Sequence, residues 1–238
     1  MDCPHCNREA ARSRQPEGMG DGFSVVPGVL DRGEVDAIAR DLDTQQLQRS
    51  RAGARHLLSV PAVASLARDP RLLEMAANVL GCEPHPFGAT LFDKSPVANW
   101  LVAWHQDTAL PFAERRAVPG WGPWSKKAGV DYALAPAAAL AKIVALRVHL
   151  DDCTEHNGPL RVLPGTHTLG ILSDEQIDDF ARRIASFACT VERGGVVMMR
   201  PLLVHASSKA TEAASRRVLH FDYAAAVTFD DGLRLRAI

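Results

Sequence analysis

The spacing of apolar positions changes texture as the chain proceeds. Up to residue 22 it has no period, and polar residues, glycine and arginine dominate, so residues 1–22 read as a flexible N-terminal tail. Apolar residues first cluster at Phe23, Val25 and Val26. Asp31 followed by Glu34 is a capping-box signature, and Val35, Ile38, Ala39 and Leu42 recur behind it at helical spacing. Two further helices are predicted over 61–68 and 70–80, the second stopped by Gly81. Beyond Gly81 short strands take over. They are predicted at 86–94, 99–106, 143–151, 160–163, 189–193, 196–200, 202–206 and 217–226, with one helix near 174–187 capped by Ser173 and Gln176. Helices first and then many strands indicate an α+β, mainly β, layout around a barrel or sandwich.

One stretch breaks the pattern. Residues 108–141 hold Pro111, Pro119, Pro123 and Pro136, two tryptophans (Trp121 and Trp124) and no convincing period. A segment this long and irregular reads as a functional loop or a disordered one, and its place after Asp107 suits a lid. The expected organisation is a single domain over 23–238 with a lid-like insertion at about 108–141.

Composition narrows the function classes. The chain has 238 residues, 47% hydrophobic and 23% charged, which is ordinary for a globular domain with a sizeable core. A net charge of −1 gives no electrostatic reason to expect nucleic acid or an anionic membrane, and no apolar run is long enough to span a bilayer. Five cysteines, an odd number, fit a reducing compartment, and the N-terminus lacks the features of a secretory signal. The expected setting is the cytoplasm, as a monomer or homodimer acting on a small molecule. Cys3 and Cys6, with His5 between them, form a Cys-x-x-Cys without a second ligand pair, and read as part of the tail.

The candidate chemistry lies in His-x-Asp pairs. Residues two apart on a strand point the same way, so such a pair can converge on one ion. The pattern occurs three times, at His105–Asp107, His149–Asp151 and His220–Asp222, where composition alone supplies roughly 0.7. The first two have His205 downstream, and either could complete a two-histidine, one-carboxylate set for iron(II). Strand parity puts Arg216 with Val218, His220 and Asp222 on a polar face. Arg217 goes with Leu219, Phe221 and Tyr223 on a packing face. The same logic pairs Arg147 with His149, opposite Val144, Leu146, Val148 and Leu150.

The segments around these pairs carry a resemblance. Thr-Leu-Phe-Asp-Lys-Ser-Pro (90–96), Asn99-Trp100, Trp-His-Gln-Asp (104–107), the run 150–167 with Asn-Gly-Pro-Leu-Arg-Val-Leu-Pro-Gly-Thr-His, His-Ala-Ser-Ser (205–208) and Arg216 together resemble the phytanoyl-CoA dioxygenase family. The likeness runs from about Gly22 to the C-terminus. It implies a double-stranded β-helix with helices packed on one sheet, Fe(II), and 2-oxoglutarate and O2 as cosubstrates. The family's motif order selects His105, Asp107 and His205 as metal ligands over the His149–Asp151 pair. Arg216 would bind the distal carboxylate of 2-oxoglutarate, with Lys94, Thr90 and Ser207 beside it. Arg147 stands where better-known members carry an aromatic residue.

The reading that follows is an Fe(II)/2-oxoglutarate-dependent dioxygenase. It would hydroxylate an unactivated C–H of a small metabolite and release succinate and carbon dioxide. The carboxylate of Asp107 favours hydroxylation, since related halogenases replace it with a small residue. Arg147, His149 and Trp121 are the candidate substrate-binding residues. His56 is a further candidate for the pocket mouth. The competing readings are a catalytically silent metal and 2-oxoglutarate sensor of the same fold and a zinc hydrolase, which would leave Arg216 and Lys94 without a role.

Overall fold

Local capping chemistry sets the first helices. The computed structural model describes residues 19–50, 53–95, 98–212, 215–229 and 231–238. Residues 1–18 of the expected tail, with Cys3, His5 and Cys6, lie outside the described residues. Strand β1 (Phe23–Val26) leads into α1 (Arg32–Thr44). Ahead of α1, the Asp31 and Glu34 side chains each accept the other's backbone N–H at 2.8 Å. After β2 (Arg49–Ser50) and β3 (Gly53–Arg55), helices α2 (Pro61–Leu66) and α3 (Pro70–Leu80) both open on proline, whose missing N–H costs nothing there. Gly81 ends α3 in the left-handed region at φ 74°.

The remaining elements build three antiparallel sheets. They are β4 (His85–Lys94), β5 (Val102–His105), β6 (Ala109–Phe112), β7 (Trp124–Lys127), β8 (Val130–Leu134), α4 (Ala137–Leu140), β9 (Ile143–His149) and β10 (Leu160–Val162). Then come α5 (Asp174–Arg183), β11 (Phe187–Cys189), β12 (Val196–Met199), β13 (His205–Ser207) and β14 (Arg216–Ala224). The large sheet has the order β1-β12-β9-β14-β4-β3-β2 and the smaller one β11-β10-β13-β5, and the fold is a double-stranded β-helix. Alternation along β14 sends Leu219, Phe221 and Tyr223 outward onto the helices. There they join Val35, Leu72 and Leu146 in the largest core cluster. The Tyr223 hydroxyl, donating to the Ala67 carbonyl at 2.9 Å, ties the sheet to the helical layer.

The insertion is more ordered than its sequence suggests. Residues 108–141 contain the third sheet, order β6-β8-β7, followed by α4. Pro111 sits inside β6, and the β7–β8 turn is made by Ala128 and Gly129 at φ 46° and 80°. A two-residue turn with both φ values positive is the standard hairpin geometry, but alanine does not advertise it. Leu110, Phe112, Ala133 and Leu140 pack there with Phe229 and Leu233 in a separate core. Some predicted bounds also shift. The strand expected at 189–193 ends at Cys189, beyond which Val191 makes a single bridge to Cys153. The strand expected from 202 begins at His205, because the Leu203 N–H turns back to the Arg200 carbonyl.

Candidate active site

His105 ends β5 and lies directly opposite His205 on β13, so sheet register alone brings the two rings together, 4.2 Å between centroids. Asp107 follows just beyond the strand, its backbone N–H fixed on the Pro201 carbonyl. Gln106 between them is buried. Its amide donates to the Gly170 and Leu202 carbonyls and its oxygen accepts the Leu172 N–H, which clamps the segment from both sides. The Asp107 carboxylate lies 3.8 Å from His105 Nε2 and 3.5 Å from His205 Nε2. One ligand atom from each of His105, Asp107 and His205 falls within 4.8 Å of the others, the only such group of three or more among the described residues. The Nδ1 atoms sit 2.9 Å and 2.8 Å from the Ala103 and Leu203 carbonyls. A carbonyl only accepts, so each Nδ1 carries the proton and each Nε2 offers a lone pair to an ion. Burial lowers the pKa of His205, which keeps the ring neutral. Burial pushes the Asp107 carboxyl up, but positive charge around it, from the imidazoles when protonated and from Arg147, leaves its pKa lowered.

Deeper in the same cavity, of about 720 Å³, lie three cations. Lys94 and Arg216 are paired across β4 and β14 and are 1% and 2% exposed. The Lys94 ammonium donates to Ser207 Oγ at 2.7 Å and to the Ser208 carbonyl, while Ser207 donates to the Gly158 carbonyl at 2.9 Å. Burial, with Arg216 and Arg147 nearby, brings the Lys94 pKa down to about 8. The Asn-Gly-Pro turn explains itself here. Asn157 offers its carbonyl to Arg216 Nε at 3.2 Å, and a Cβ on Gly158 would stand 2.8 Å from the Lys94 nitrogen. Arg147 is buried on β9, its pKa lowered to about 10 by burial and by Arg216. Its Nη1 meets His220 Nδ1 at 3.0 Å, and His220 Nε2 meets Asp222 Oδ1 at 3.0 Å. Because a guanidinium only donates, His220 must accept at Nδ1 and carry its proton at Nε2, facing Asp222.

These cations lack an anion. Arg216 Nη1 and Arg147 Nε are buried donors without a partner, and no carboxylate among the described residues pairs with Lys94, Arg147 or Arg216. Buried donors of this kind normally find acceptors. A dicarboxylate reaching from the His-Asp-His cluster to Arg216 would supply them, so the residues present fit both iron(II) and 2-oxoglutarate.

Each His-x-Asp pair has a different use. His105–Asp107 faces His205. Asp151 is taken by Arg217, accepting from its backbone N–H at 2.8 Å and from Nε and Nη2 at 3.0 Å each, outside the cavity. His220–Asp222 is tied to itself and to Arg147. Thr90 and Ser207 line the cavity with Arg147. Two expected substrate residues do not. His149 pairs in register with Val218, and its ring is 1% exposed with both nitrogens unpartnered. It lies in the row between Arg147 and Arg216 and is not part of the lining. Trp121 packs edge-on against Phe112 at 5.2 Å and beside Phe229 at 5.0 Å, with its indole N–H on Asp231, so it belongs to the core of the insertion. His56, held left-handed at φ 64°, reaches the Tyr132 hydroxyl at 3.1 Å, while its neighbour Arg55 lines the cavity. Tyr132 and Lys127 of the insertion also line it, and no periodicity in that segment marks them out.

The phytanoyl-CoA dioxygenase (PhyH) family pattern matches residues 19–218. Among curated proteins, L-proline trans-4-hydroxylase of Streptomyces griseoviridis is 29% identical over 186 residues, 67% of this chain and 62% of that protein. Ectoine dioxygenase of Sphingopyxis alaskensis is 24% identical over 87% of this chain and 72% of its own. The chain thus spans less than two thirds of the proline hydroxylase. Among solved structures, HygX from Streptomyces hygroscopicus with nickel, 2-oxoglutarate and hygromycin B bound superposes with a TM-score of 0.64. It is 19% identical, with 89% of this chain and 86% of that one covered, and shares the fold.

Proposed function

The chain belongs to the phytanoyl-CoA dioxygenase family, and from that premise we propose that it is an Fe(II)- and 2-oxoglutarate-dependent dioxygenase hydroxylating a small-molecule metabolite, with release of succinate and carbon dioxide. One observation carries the reading: a His-Asp-His cluster within 4.8 Å shares a cavity with a buried, unpartnered Arg216 donor. The named activities of the proline hydroxylase and the ectoine dioxygenase are in keeping with it.

His105, Asp107 and His205 hold the metal, with both imidazoles fixed as Nε2 ligands by the Ala103 and Leu203 carbonyls. Arg216 receives the far carboxylate of 2-oxoglutarate, Lys94 adds a second charge, and Ser207 and Thr90 flank it. Iron(II) with 2-oxoglutarate and dioxygen supplies, when bound, the oxidant for an unactivated C–H bond. The protein orients the reactants and keeps water from the cavity. The insertion forms one wall through Tyr132, Leu134 and Lys127, and we assign it the role of lid within a single domain over 23–238. A cytoplasmic setting belongs to this proposal; Cys82, Cys153 and Cys189 carry free thiols, and no helix among the described residues is long and apolar enough to cross a membrane.

The test is succinate formation from 2-oxoglutarate under air with and without added iron(II). Wild-type protein should require iron. His105→Ala and Asp107→Ala should lose about a hundredfold or more of the rate, the scale expected for removing a metal ligand and its orientation. Undiminished succinate from metal-loaded Asp107→Ala would overturn the assignment.

A further inference from the structure

The row of cavity-facing residues across the large sheet reads Arg55 (β3), Thr90 (β4), His220 (β14) and Arg147 (β9), each paired in register with the next. The adjacent row places Asp222 opposite Gly88. Lys94, Arg147 and Arg216 line the same cavity as the buried cations available to the dicarboxylate. Two cations are then left over at the cavity mouth. The side chain of Arg55 has no hydrogen bond or ion pair among the described residues, and Lys127 lines the cavity from the insertion, its ammonium 4.8 Å from the centre of the Tyr132 ring. One carboxylate is also left over. Asp222 gives Oδ1 to His220, and Oδ2 has no hydrogen-bond partner among the described residues. Gly88 makes room for that oxygen, since a Cβ there would stand 2.7 Å from it. With strands ~4.8 Å apart and ~3.4 Å per residue, the Cα atoms of Arg55 and Asp222 are ~12 Å apart, which leaves a gap of small-molecule size between their charged ends.

From these leftover charges we infer that the substrate is a zwitterionic amino or imino acid, its carboxylate held by Arg55 and Lys127 and its ammonium by Asp222. The inference rests on the oxygenase reading above. Tyr132 lines the same cavity as Arg55 and Asp222, and His56 meets its hydroxyl at 3.1 Å. The Arg147–His220 chain has a positioning role: with Nδ1 occupied by the guanidinium, His220 must present its N–H to Asp222 Oδ1. That engages Oδ1 and leaves Oδ2 without a hydrogen-bond partner among the described residues on a side chain that lines the cavity.

The experiment is anaerobic calorimetry on full-length protein loaded with iron(II) and 2-oxoglutarate. Loading is verified first by the visible charge-transfer absorption of the chelated metal. The titrants are the common α-amino and imino acids, their methyl esters, their N-acetyl derivatives and the corresponding amine-free carboxylic acids. At least one free amino acid should bind, and its ester and its N-acetyl form should each bind roughly tenfold weaker or worse, the size of one charge-assisted contact. Arg55→Ala should erase the penalty for the ester, and Asp222→Asn the penalty for N-acetylation. Gly88→Ala, which displaces Asp222 without removing it, serves if Asp222→Asn does not fold. The wild-type series decides without any variant. Binding of no amino acid, or equal binding of parent, ester and N-acetyl form, overturns the inference; equal binding of amine-free acids reduces the site to an anion site and overturns it too. Failure to form the charge-transfer band counts instead against the oxygenase reading.

Discussion

Lys94 is a cation placed where water cannot reach it, 1% exposed, with two arginines as neighbours. Desolvation and like charge bring its pKa to about 8 from 10.5. Only the ammonium attracts a carboxylate, so the sign is fixed: affinity for 2-oxoglutarate is level below pH 8 and declines as pH rises through 8, by up to tenfold per unit. Lys94→Met should weaken binding at neutral pH and flatten that limb, as read by titrating 2-oxoglutarate into iron-loaded protein between pH 6.5 and 9.5. An unchanged profile in the variant would assign the limb to another group. At this scale the cluster of His105, Asp107 and His205 was legible because the family's motif order ranks three equivalent His-x-Asp pairs. The pairing of Arg147 with His220 was not. Their contact spans 73 positions in the chain and depends on the register of β9 against β14, which no local pattern encodes. His149 misled for the same reason. Parity puts it on the face of Arg147, in the row between Arg147 and Arg216, yet its ring is buried and absent from the cavity lining that both of those arginines reach.

Among the elements, those that announced themselves use local chemistry. The Asp31–Glu34 and Ser173–Gln176 boxes and the Gly81 stop are side-chain or backbone bonds within four residues, so α1, α3 and the start of α5 were legible. The β6–β8–β7 sheet was hidden because a proline sits in one strand and an alanine occupies a left-handed turn position. That alanine supplies a test of the hairpin. Ala128 at φ 46° pays a steric penalty that asparagine largely avoids. Ala128→Asn should stabilise the protein by about 1 kcal/mol, a rise of roughly 2–4 °C in melting temperature for a chain of this size. Calorimetric melting reads it, with Gly129→Ala as the opposite control because Gly129 also holds a positive φ of 80°. A variant no more stable than wild type would mean the turn is not formed in this way.

For the molecule as a whole, the cavity sets the terms of stability. The fold gathers Lys94, Arg147 and Arg216 at the floor, and His149 is buried in the row between Arg147 and Arg216, with no partner for either ring nitrogen. Burial first, then Arg147 and Arg216, hold its pKa well below the usual value, so the folded protein refuses a proton that the unfolded chain accepts. Above pH 6.5 both states are neutral and His149 has no effect on the pH dependence. Below it the unfolded state binds more protons, and stability falls by about 1.4 kcal/mol per unit from this residue alone. His56, His167 and His205 are also lowered and keep their own shares of the slope. His149→Leu should therefore raise stability at pH 7.5 by about 1 kcal/mol, by removing unsatisfied polar atoms, and subtract one proton from the acid slope. Urea unfolding at pH 7.5, 6.5 and 5.5 measures both effects, and an unaltered slope would show that the ring is protonated or hydrogen-bonded in the folded state. A neutral residue suits this position for an electrostatic reason. An aspartate or glutamate in place of His149 would pair with Arg147 or Arg216 and quench the charge that an incoming dicarboxylate needs. The floor stays cationic, and part of the free protein's stability is withheld until an anion binds.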